Sequence, residues 1–293
     1  MSVAIIINPI SGGARPNAAQ RRARAAIDAV ERHGDRPEVF VTERPGHARE
    51  LARAALARGV RLVIAWGGDG TINEVASALV FGEIPLGIVP AGSGNGLARE
   101  LGVQTRPERA IASALAAAPR PIDVGEVSGR FFVNIAGVGF DAEVAARFNH
   151  PGNTTRGLRG YAALTARSFF TYRAREYTLG ADEQRLRTRA LMIVIANGTE
   201  FGNRILIARG ARVDDGVLDL VVVEERSLAG TIGRVPWLVA RQIHRVPQWS
   251  SRPARRVTID CSEPMTFHVD GEPVQGGTRL EARIHPGALG VCV

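Results

Sequence analysis

The sequence predicts an α/β domain followed by a β-rich domain, and two patterns support this prediction. Before Asp123, short apolar runs rich in β-branched residues alternate with alanine- and arginine-rich stretches of helical period, as in a parallel sheet covered by helices. After Asp123, helical patterns become rare, and strand-like runs follow one another between glycine-rich turns. With 293 residues and 45% hydrophobic content, the chain is long enough to build two hydrophobic cores.

Strands and helices alternate in the first half. Asn17 can cap a helix that reaches Gly34, a second helix begins near His47 and stops before residue 59, and further helices follow Gly70 and Asn95. The predicted strands are residues 3–7, 38–41, 62–65 and 86–89. The turns that follow parallel strands lie at one edge of their sheet, where open α/β sheets bind ligands.

The last helix of this half has its own start signal. Thr105, Pro107 and Glu108 have the spacing of a capping box with proline in the first turn. We therefore expect a helix from this point to about Ala117, followed by two prolines that close the first half.

The second half is a succession of predicted strands, interrupted by a helical insertion around residues 161–170. This succession favours an antiparallel sandwich or a barrel-like domain. The predicted strands are residues 124–127, 131–135, 177–179, 191–196, 218–223, 257–259 and 265–269.

All 37 basic residues are arginine, because the sequence contains no lysine, and the formal net charge is +8. A Walker A loop and a protein-kinase fold each place a lysine on the nucleotide phosphates, and Schiff-base chemistry needs an amine side chain. These three classes are therefore excluded. The positive charge favours an anionic partner such as a nucleotide, a nucleic acid or an acidic membrane surface.

The sequence favours a cytoplasmic protein. Cys261 and Cys292 are the only cysteines, and a single potential pair is no disulfide framework for a chain of this length. The apolar run at residues 3–7 is too short for a signal-peptide core and lacks a basic leader. No run of about 18 apolar residues occurs, so we expect a cytoplasmic location and leave peripheral membrane association open.

The most informative segment is GGDGTINE at residues 67–74, which follows a predicted buried strand. Glycines at such a turn let backbone amides approach phosphate oxygens closely. Asp69 would repel an anion unless a divalent cation or ordered water bridges the carboxylate and the phosphate, so it indicates a magnesium nucleotide. The alternative is an ordinary turn, because Asp-Gly is a strong turn pair.

Two further glycine-rich turns accompany this segment. PAGSGNG at residues 90–96 follows the next strand, and NPISGG at residues 8–13 follows the first strand. Turns on adjacent strand ends would form one crevice for a ligand. The three turns together therefore favour a phosphate-binding site more strongly than any one of them.

These loops resemble the diacylglycerol kinase catalytic family, which includes bacterial lipid kinases and sphingosine kinases. The resemblance covers nearly the whole chain and continues through IDVG (122–125), NIAGVGFDA (134–142), ANG (196–198), VDDGVLD (213–219) and VDGEP (269–273). It implies a phosphofructokinase- and NAD kinase-like α/β domain at residues 1–122, completed by residues 281–293. It also implies an antiparallel β-sandwich, lipid-binding domain at residues 123–280, with ATP in the cleft between the domains.

The resemblance also implies roles for individual residues. Asp69 would organise magnesium and water, and Glu272 takes the position of the general base. Asp215 would bind a structural Mg²⁺ together with the backbone carbonyls of Arg212 and Val217. The nucleotide would be contacted by Asn8, Pro9, Ser11, Gly12, Thr42, Gly67, Gly68, Gly70, Thr71, Asn73, Glu74, Gly92, Ser93, Gly94 and Asn95.

Glu272, Asp141 and Asp215 have both a functional and a simpler structural interpretation. Phosphoryl transfer needs a group that accepts the alcohol proton, and the turn at Gly271 would present Glu272 outward, but an isolated Asp-Gly-Glu-Pro segment also fits a solvated turn. By resemblance, Asp141 would contact the polar head of the acceptor, although it fits equally well as the cap of a helix around residues 142–147. Asp215 follows Asp214, and such a pair is also a common hairpin signal.

The sequence departs from its relatives in two loops. Gly96 stands where bacterial diacylglycerol kinase-like enzymes often carry aspartate, and Gly13 stands where many relatives place a basic residue. Loss of a carboxylate would alter magnesium organisation or acceptor preference, so diacylglycerol itself is not assured. Arg15 offers a compensating charge near the first loop.

Residues 234–256 combine tryptophans with arginines, which suits an anionic bilayer surface. An ordinary amphipathic helix packed on the β-rich domain, with its arginines in solvent, fits the segment at least as well.

We therefore expect an ATP- and Mg²⁺-dependent kinase that phosphorylates a diacylglycerol-like or sphingoid-like lipid alcohol. The expected partners are this lipid and, transiently, an anionic membrane surface, with no nucleic acid; a homodimer is left open. One alternative is NAD kinase, which shares the GGDGT loop, and another is a nucleotide-binding module without catalysis. Residues 72–74, 92–95 and 269–273 favour the lipid kinase over NAD kinase, and retention of Asp69 and Glu272 argues against an inactive module.

Overall fold

The computed structural model describes residues 1–13, 16–150, 160, 164–165, 167–168, 171–201, 205–225 and 249–293. The chain divides into two compact units, one of residues 1–124 with 287–293 and one of residues 125–286. Each unit has a hydrophobic core of its own.

The elements up to the end of the first unit are β1 (Ser2–Ile7), α1 (Ala18–Arg32), β2 (Arg36–Val41), α2 (His47–Ala57), β3 (Leu62–Gly67), α3 (Asp69–Leu79), β4 (Leu86–Pro90), α4 (Gly96–Glu100), α5 (Pro107–Ala116) and β5 (Arg120–Val127). The later elements are β6 (Arg130–Phe132), β7 (Ile135–Gly139), α6 (Phe140–Asn149), β8 (Arg175–Ala181), β9 (Gln184–Ala196), β10 (Glu200–Phe201), β11 (Ile205–Leu206), β12 (Leu218–Glu224), β13 (Trp249–Ala254), β14 (Arg256–Asp260), β15 (Thr266–Val269), β16 (Glu272–Gln275) and β17 (Arg279–Cys292).

The first unit is built on a parallel sheet in the order β2-β1-β3-β4. The end of β17 adds a further parallel strand, because Val291 pairs with Leu86 beside β4. Strands β1 and β3 are buried along almost their whole length, which explains why each appears in the sequence as an unbroken apolar run. The α/β architecture predicted for this half is confirmed.

Of the two predicted helix caps in this unit, one is at the expected position without a capping hydrogen bond, and the other is wrong. Asn17 precedes α1, but its backbone is left-handed (φ 56°) and its side chain makes no capping hydrogen bond. The residue before α5 is Arg106, so Thr105 does not cap this helix and the proposed capping box is absent. Both helices begin close to the predicted positions because their buried apolar faces, and not their caps, decide where they form.

The second unit is an antiparallel β structure, as predicted. Its strands pair in the order β16-β15-β7-β9-β8-β14-β17, and β12 lies on the other edge of β9, where it also pairs with β13. Large side chains such as Phe132 and Phe267 are fully buried in its core.

The strand predicted over residues 131–135 is instead two strands, β6 and β7, separated by Val133 and Asn134. The cause lies more than a hundred residues away, because the Asp270 carboxylate accepts hydrogen bonds from the amides of Val133, Asn134 and Ile135 at 2.9, 3.0 and 2.9 Å. A side chain therefore satisfies the amides that a continuous strand would have paired.

The proposed membrane-binding segment lies partly outside the described residues, which resume at residue 249. Trp249 belongs to β13 and packs against a buried cluster that includes Val221, and its indole N–H donates to the carbonyl oxygen of Ile207 at 3.0 Å. This tryptophan therefore contributes to the core of the second unit. Most of the helical insertion predicted at residues 161–170 also lies outside the described residues, as does Arg15.

Candidate active site

The three glycine-rich loops of the first unit are in direct backbone contact. A β-carbon added to Gly92 would lie 2.7 Å from the α-carbon of Gly68, and one added to Gly12 would lie 2.6 Å from the carbonyl oxygen of Ala91. Neither distance is compatible with a real side chain. The amide of Gly68 also donates to the hydroxyl of Ser11 at 3.2 Å. Glycine is therefore required where the loops after β1, β3 and β4 meet.

Asp69 joins the second and third loops. Its Oδ2 atom accepts a hydrogen bond from the amide of Asn95, and its Oδ1 atom accepts one from the amide of Gly96, both at 2.7 Å. Burial raises the pKa of Asp69, while these two amides and the Arg99 guanidinium partly offset the effect. The carboxylate thus has donors of its own, and its presence among backbone amides does not by itself require a cation.

The geometry of Asp69 nevertheless fits a magnesium nucleotide. Each carboxylate oxygen accepts one amide and has capacity for a second donor. Mg²⁺ prefers oxygen ligands, and it usually keeps several of its bound waters when it binds to a protein. Each Asp69 oxygen can therefore accept a further hydrogen bond from a metal-bound water beside the loops.

Asn8 and Arg22 hold the first loop in place. The Nδ2 group of Asn8 donates to the hydroxyl of Thr71 at 3.0 Å, while its Oδ1 atom accepts the amide of Ile10 at 3.1 Å. The Arg22 guanidinium donates to the carbonyl oxygens of Asn8 and Ser11. In a chain without lysine, this guanidinium places a positive charge directly behind the first loop.

The third loop is closed by Asn95, whose backbone is left-handed (φ 54°). Its side chain accepts the Gly92 amide and donates to the Gly92 carbonyl oxygen, both at 2.8 Å. The Arg99 guanidinium donates to the carbonyl oxygen of Gly94. Ser93 is left exposed at the tip of this loop.

The remaining predicted nucleotide contacts are distributed differently. Glu74 accepts hydrogen bonds from the amides of Gly46 and Ala48 at 2.8 and 2.9 Å, so its carboxylate caps α2 and is not directed at the glycine loops. Thr42 follows β2 and pairs with the end of β1 through its amide. Asn73 is buried in α3. Pro9 lies in the first loop, Gly70 lies in the first turn of α3, and a β-carbon on Gly67 would collide with Thr71 at 2.5 Å.

A cavity of about 310 Å³ adjoins the first loop. It is lined by Gly12, Gly13, Ala18, Arg21, Arg22, Trp66, Pro90, Ala91 and Pro107. Arg22 lies over the Trp66 ring, 5.9 Å from its centroid, so one wall combines a cation with an aromatic face.

In the second unit, Glu272 is the first residue of β16 and is exposed. It pairs with Val269 across a two-residue turn formed by Asp270 and Gly271, which both have positive φ (48° and 89°). Two left-handed residues define a tight type I′ hairpin turn. The predicted turn is therefore present, and it presents the Glu272 side chain outward.

Asp141 lies in the first turn of α6, where its Oδ1 atom accepts the amide of Ala142 at 2.9 Å. Its Oδ2 atom lies 3.1 Å from Nε2 of His268, and both side chains are buried. The residue before α6 is Gly139, so Asp141 interacts with the helix start without occupying the cap position.

Asp215 lies in an exposed loop before β12, and its Oδ1 atom accepts the amide of Val217 at 3.2 Å. Burial raises the pKa of the neighbouring Asp219, and the negative charge of Asp215 adds to this shift. Arg212 donates to Asp214 at 3.2 Å. Within the described ranges, no group of three or more His, Cys, Asp or Glu side chains is arranged to hold a metal. The Mg²⁺ site expected at Asp215 would have one carboxylate and two backbone carbonyls, so it is not a group of this kind.

Sequence reasoning missed two residues near Glu272. Asp270 organises the break between β6 and β7, and His268 contacts both Asp141 and the turn residue Gly271. Phe267, His268 and Val269 are buried in succession along β15, so a period-two pattern does not single out His268, and its partner is 127 positions away in the sequence.

Comparison with known proteins identifies both halves. Residues 2–127 match the diacylglycerol kinase catalytic domain, and residues 134–293 match the YegS C-terminal NAD kinase beta sandwich-like domain. A solved structure of "a putative diacylglycerol kinase from Bacillus anthracis str. Sterne" superposes with a TM-score of 0.81 at 22% identity, covering 99% of this chain and 94% of that chain. This similarity confirms the fold.

Relatives in sequence agree with these matches. The "Probable lipid kinase YegS-like" of Pseudomonas aeruginosa PAO1 is 32% identical over 293 residues, covering 94% of this chain and 90% of that protein. The protein of the same description from Pseudomonas fluorescens Pf-5 is 32% identical over 294 residues, covering 94% and 91%. The helices in the described part of the chain are too short or too polar to cross a bilayer. The chain therefore belongs to the YegS-like lipid kinase family, and its first half matches the diacylglycerol kinase catalytic domain.

Proposed function

We propose that this protein uses ATP and Mg²⁺ to phosphorylate the hydroxyl group of a lipid alcohol of the diacylglycerol or sphingoid type. The observation that carries this proposal is the close approach of Gly68 and Gly92, reinforced by the hydrogen bonds that amides of the third loop donate to Asp69. Together they fix the second and third loops against each other, with a carboxylate between them. In this arrangement Asp69 can hold a metal-bound water beside the loops, where the phosphate chain would lie.

The loops would bind the nucleotide without a lysine. Backbone amides at glycine turns can approach phosphate oxygens, and Arg22 supplies positive charge from behind the first loop. The Arg22 guanidinium already donates to two carbonyl oxygens, so we expect it to hold the shape of the loop. Its positive charge would also stabilise a negatively charged phosphate bound there. Asp69 would orient water bound to Mg²⁺, because its two oxygens are held in fixed directions by amides.

Glu272 would accept the proton of the lipid hydroxyl. Its side chain is exposed and directly follows a tight turn, so an incoming hydroxyl group can reach it from solvent. When bound, the magnesium nucleotide would supply the phosphoryl group and neutralise charge on it. The chain contributes the orientation of the reactants and the removal of one proton.

The loop at residues 212–217 would hold a structural Mg²⁺ through the Asp215 carboxylate and the carbonyls of Arg212 and Val217. The hydrogen bond from the Val217 amide to Asp215 supports this assignment, because it curls the loop around the carboxylate. The structure gives a direct contact between Asp141 and the acceptor less support, because the Asp141 side chain is buried and pairs with His268.

A lipid acceptor is favoured by the relatives, which are described as probable lipid kinases. Purified protein would be incubated with Mg²⁺ and radiolabelled ATP, and with diacylglycerol, a sphingoid base, a phospholipid bearing a free hydroxyl, or NAD. We expect label in diacylglycerol or in the sphingoid base and none in NAD. Label only in the phospholipid would reject the proposed acceptor class, and label in NAD alone or in no acceptor would reject the proposal as a whole.

Transient contact with an anionic membrane surface is a separate part of the proposal, because a lipid acceptor must be reached from a bilayer. It is tested by co-sedimentation with vesicles of increasing phosphatidylglycerol content at low and high salt. Binding that does not change with anionic lipid content would contradict it.

A further inference from the structure

A buried histidine and aspartate form a pair beneath the turn that carries Glu272. Nε2 of His268 lies 3.1 Å from Oδ2 of Asp141, and the two residues are only 3% and 7% exposed. His268 belongs to β15 and Asp141 to α6, so the pair links two elements of the second unit. Buried polar groups of this kind need partners, and each is the other's partner.

Gly137 in β7 leaves space for this pair. A β-carbon added to Gly137 in β7 would lie 1.9 Å from Oδ2 of Asp141 and 2.6 Å from Nε2 of His268. No residue other than glycine fits at position 137 while the pair is present. Glycine at position 137 therefore leaves the space in which Asp141 and His268 form their hydrogen bond.

The other ring nitrogen of His268 points to the hairpin turn. The Gly271 amide lies 3.3 Å from Nδ1 of His268 and donates to it. Because a backbone N–H can only donate, Nδ1 must be unprotonated, and the ring proton is on Nε2, where it is donated to Asp141. Asp141 thereby selects the tautomer that can accept from the turn.

We propose that His268 is a positioning residue for Glu272, and that Asp141 acts through it by holding the ring in the accepting tautomer. This inference rests on the proposed function of Glu272 as the base. The order of contacts is Asp141 to His268, His268 to the Gly271 amide, and Gly271 to the adjoining Glu272. A displacement of about 1 Å in a reacting group can reduce a rate by about 100-fold, so fixing the turn has a catalytic consequence.

The simpler interpretation is a core histidine whose hydrogen bonds only stabilise the unit. The two interpretations make opposite predictions for conservative variants. His268→Asn keeps an acceptor at the position of Nδ1, facing Gly271, but leaves Oδ2 of Asp141 without the donor that His268 supplies. His268→Gln keeps a donor at the position of Nε2, facing Asp141, but leaves the Gly271 amide without its acceptor.

The test measures stability and catalysis in these variants. Thermal denaturation should rank His268→Gln above His268→Asn, because loss of a hydrogen bond to a buried charged carboxylate oxygen costs more than loss of one between neutral groups. With a lipid acceptor, kcat should rank in the opposite order, with His268→Asn within about 3-fold of the wild type and His268→Gln reduced by about 10- to 100-fold at unchanged KM for ATP. A merely structural histidine would give the same order in both measurements, which would overturn the proposal.

Hydrogen exchange of the Gly271 amide gives a readout that does not depend on activity. Exchange should be slow in the wild type and in His268→Asn, and at least about 10-fold faster in His268→Gln. His285→Asn is the matched control, because His285 also pairs with a carboxylate of this unit, Glu126, at 2.7 Å. We expect this control to leave both kcat and the exchange of Gly271 unchanged.

Failure of this inference can be told apart from failure of the proposed function. If Glu272→Ala retains full activity, the base assignment is wrong, and positioning of a base by His268 falls with it. If Glu272→Ala is inactive but His268→Gln keeps full kcat and slow exchange at Gly271, only the positioning inference is overturned. If the wild type phosphorylates no acceptor, the proposed function fails, and the exchange rates still decide whether His268 holds the turn.

Discussion

Asp69 and Asn95 are 26 positions apart in the sequence, yet Oδ2 of the carboxylate lies 2.7 Å from the Asn95 amide nitrogen. The second carboxylate oxygen accepts the next amide, that of Gly96, at the same distance. One side chain therefore links the second glycine loop to the third. This makes Asp69 both a structural link and the proposed organiser of Mg²⁺, and the two roles can be separated.

Asp69→Asn should lower both stability and activity. The variant keeps one carbonyl oxygen for one amide but turns an NH₂ group toward the other amide, so a buried donor loses its acceptor at a cost of about 1–3 kcal/mol. We expect a fall in melting temperature of about 2–8 °C and a fall in kcat of at least about 100-fold. Differential scanning fluorimetry and the lipid phosphorylation assay measure the two effects.

The matched control is Asp28→Asn, which changes an exposed carboxylate in α1 of the same unit. It should leave the melting temperature and kcat unchanged. An Asp69→Asn protein with full activity would exclude the proposed metal role and leave only the structural one.

Gly92→Ala should weaken nucleotide binding. The added β-carbon would lie 2.7 Å from the α-carbon of Gly68, so the second and third loops must separate by several tenths of an ångström. We expect the Kd for ATP, measured by calorimetry with Mg²⁺, to rise by at least about 10-fold, since a phosphate site depends on the exact direction of its amides. Gly290→Ala is the control, because its nearest neighbour, on Pro85, is at an unstrained 3.6 Å. Equal affinities in the two variants would contradict the proposed phosphate site.

The parallel strands and the glycine loops could be predicted because their signals are local. A strand buried on both faces, such as β3, is an uninterrupted apolar run, and a glycine turn after it is visible in the same few residues. The loops meet because neighbouring parallel strands place their ends at one edge, which is a property of the fold class.

The side-chain partners could not be predicted, because they are set by distances through space. The sequence around Asp69 predicts a carboxylate that needs a cation, but the amides that satisfy it belong to another loop. The split of the predicted strand at residues 131–135 likewise depends on Asp270, which approaches Val133 only in the folded unit. Contacts of this kind have no periodicity and no local composition that the sequence could show.

Glu74→Ala tests whether this glutamate caps a helix or binds nucleotide. Its carboxylate accepts the amides of Gly46 and Ala48 at the start of α2, and loss of such a cap costs about 1–2 kcal/mol. We expect the free energy of unfolding, measured with urea, to fall by about this amount, while the Kd for ATP changes less than about 2-fold. Glu83→Ala, at an exposed position of the same unit outside the helices, is the control and should change neither. A rise in Kd of 10-fold or more would instead support the direct contact that the family resemblance implies.

Asp35 should make the stability of the first unit depend on pH. The hydrogen bond from the Arg61 guanidinium holds the pKa of Asp35 far below its ordinary value of 3.8, against the opposing effect of burial. A carboxyl group whose pKa is depressed by folding adds stability above its unfolded pKa and loses it as the pH falls toward the folded value. Asp35→Asn should therefore unfold at lower urea concentration than the wild type at pH 7. This gap should shrink as the pH falls below about 4.

A gap that stays constant between pH 7 and pH 3 would show that Asp35 contributes through packing and not through its charge. Asp28→Asn again serves as the control, because its carboxylate is exposed. Its unfolding midpoint should follow that of the wild type at every pH.

Glu272→Gln should abolish phosphoryl transfer while leaving the protein folded and able to bind nucleotide. Glutamine has nearly the same shape but cannot accept a proton from the lipid hydroxyl, and loss of a general base reduces a rate by about 100- to 10,000-fold. Since Glu272 is exposed, the melting temperature should not change. Glu183→Gln is the matched control, because Glu183 is an exposed glutamate in the turn between β8 and β9 of the same unit. If both variants phosphorylate the lipid at the wild-type rate, proton removal by Glu272 is not part of the mechanism.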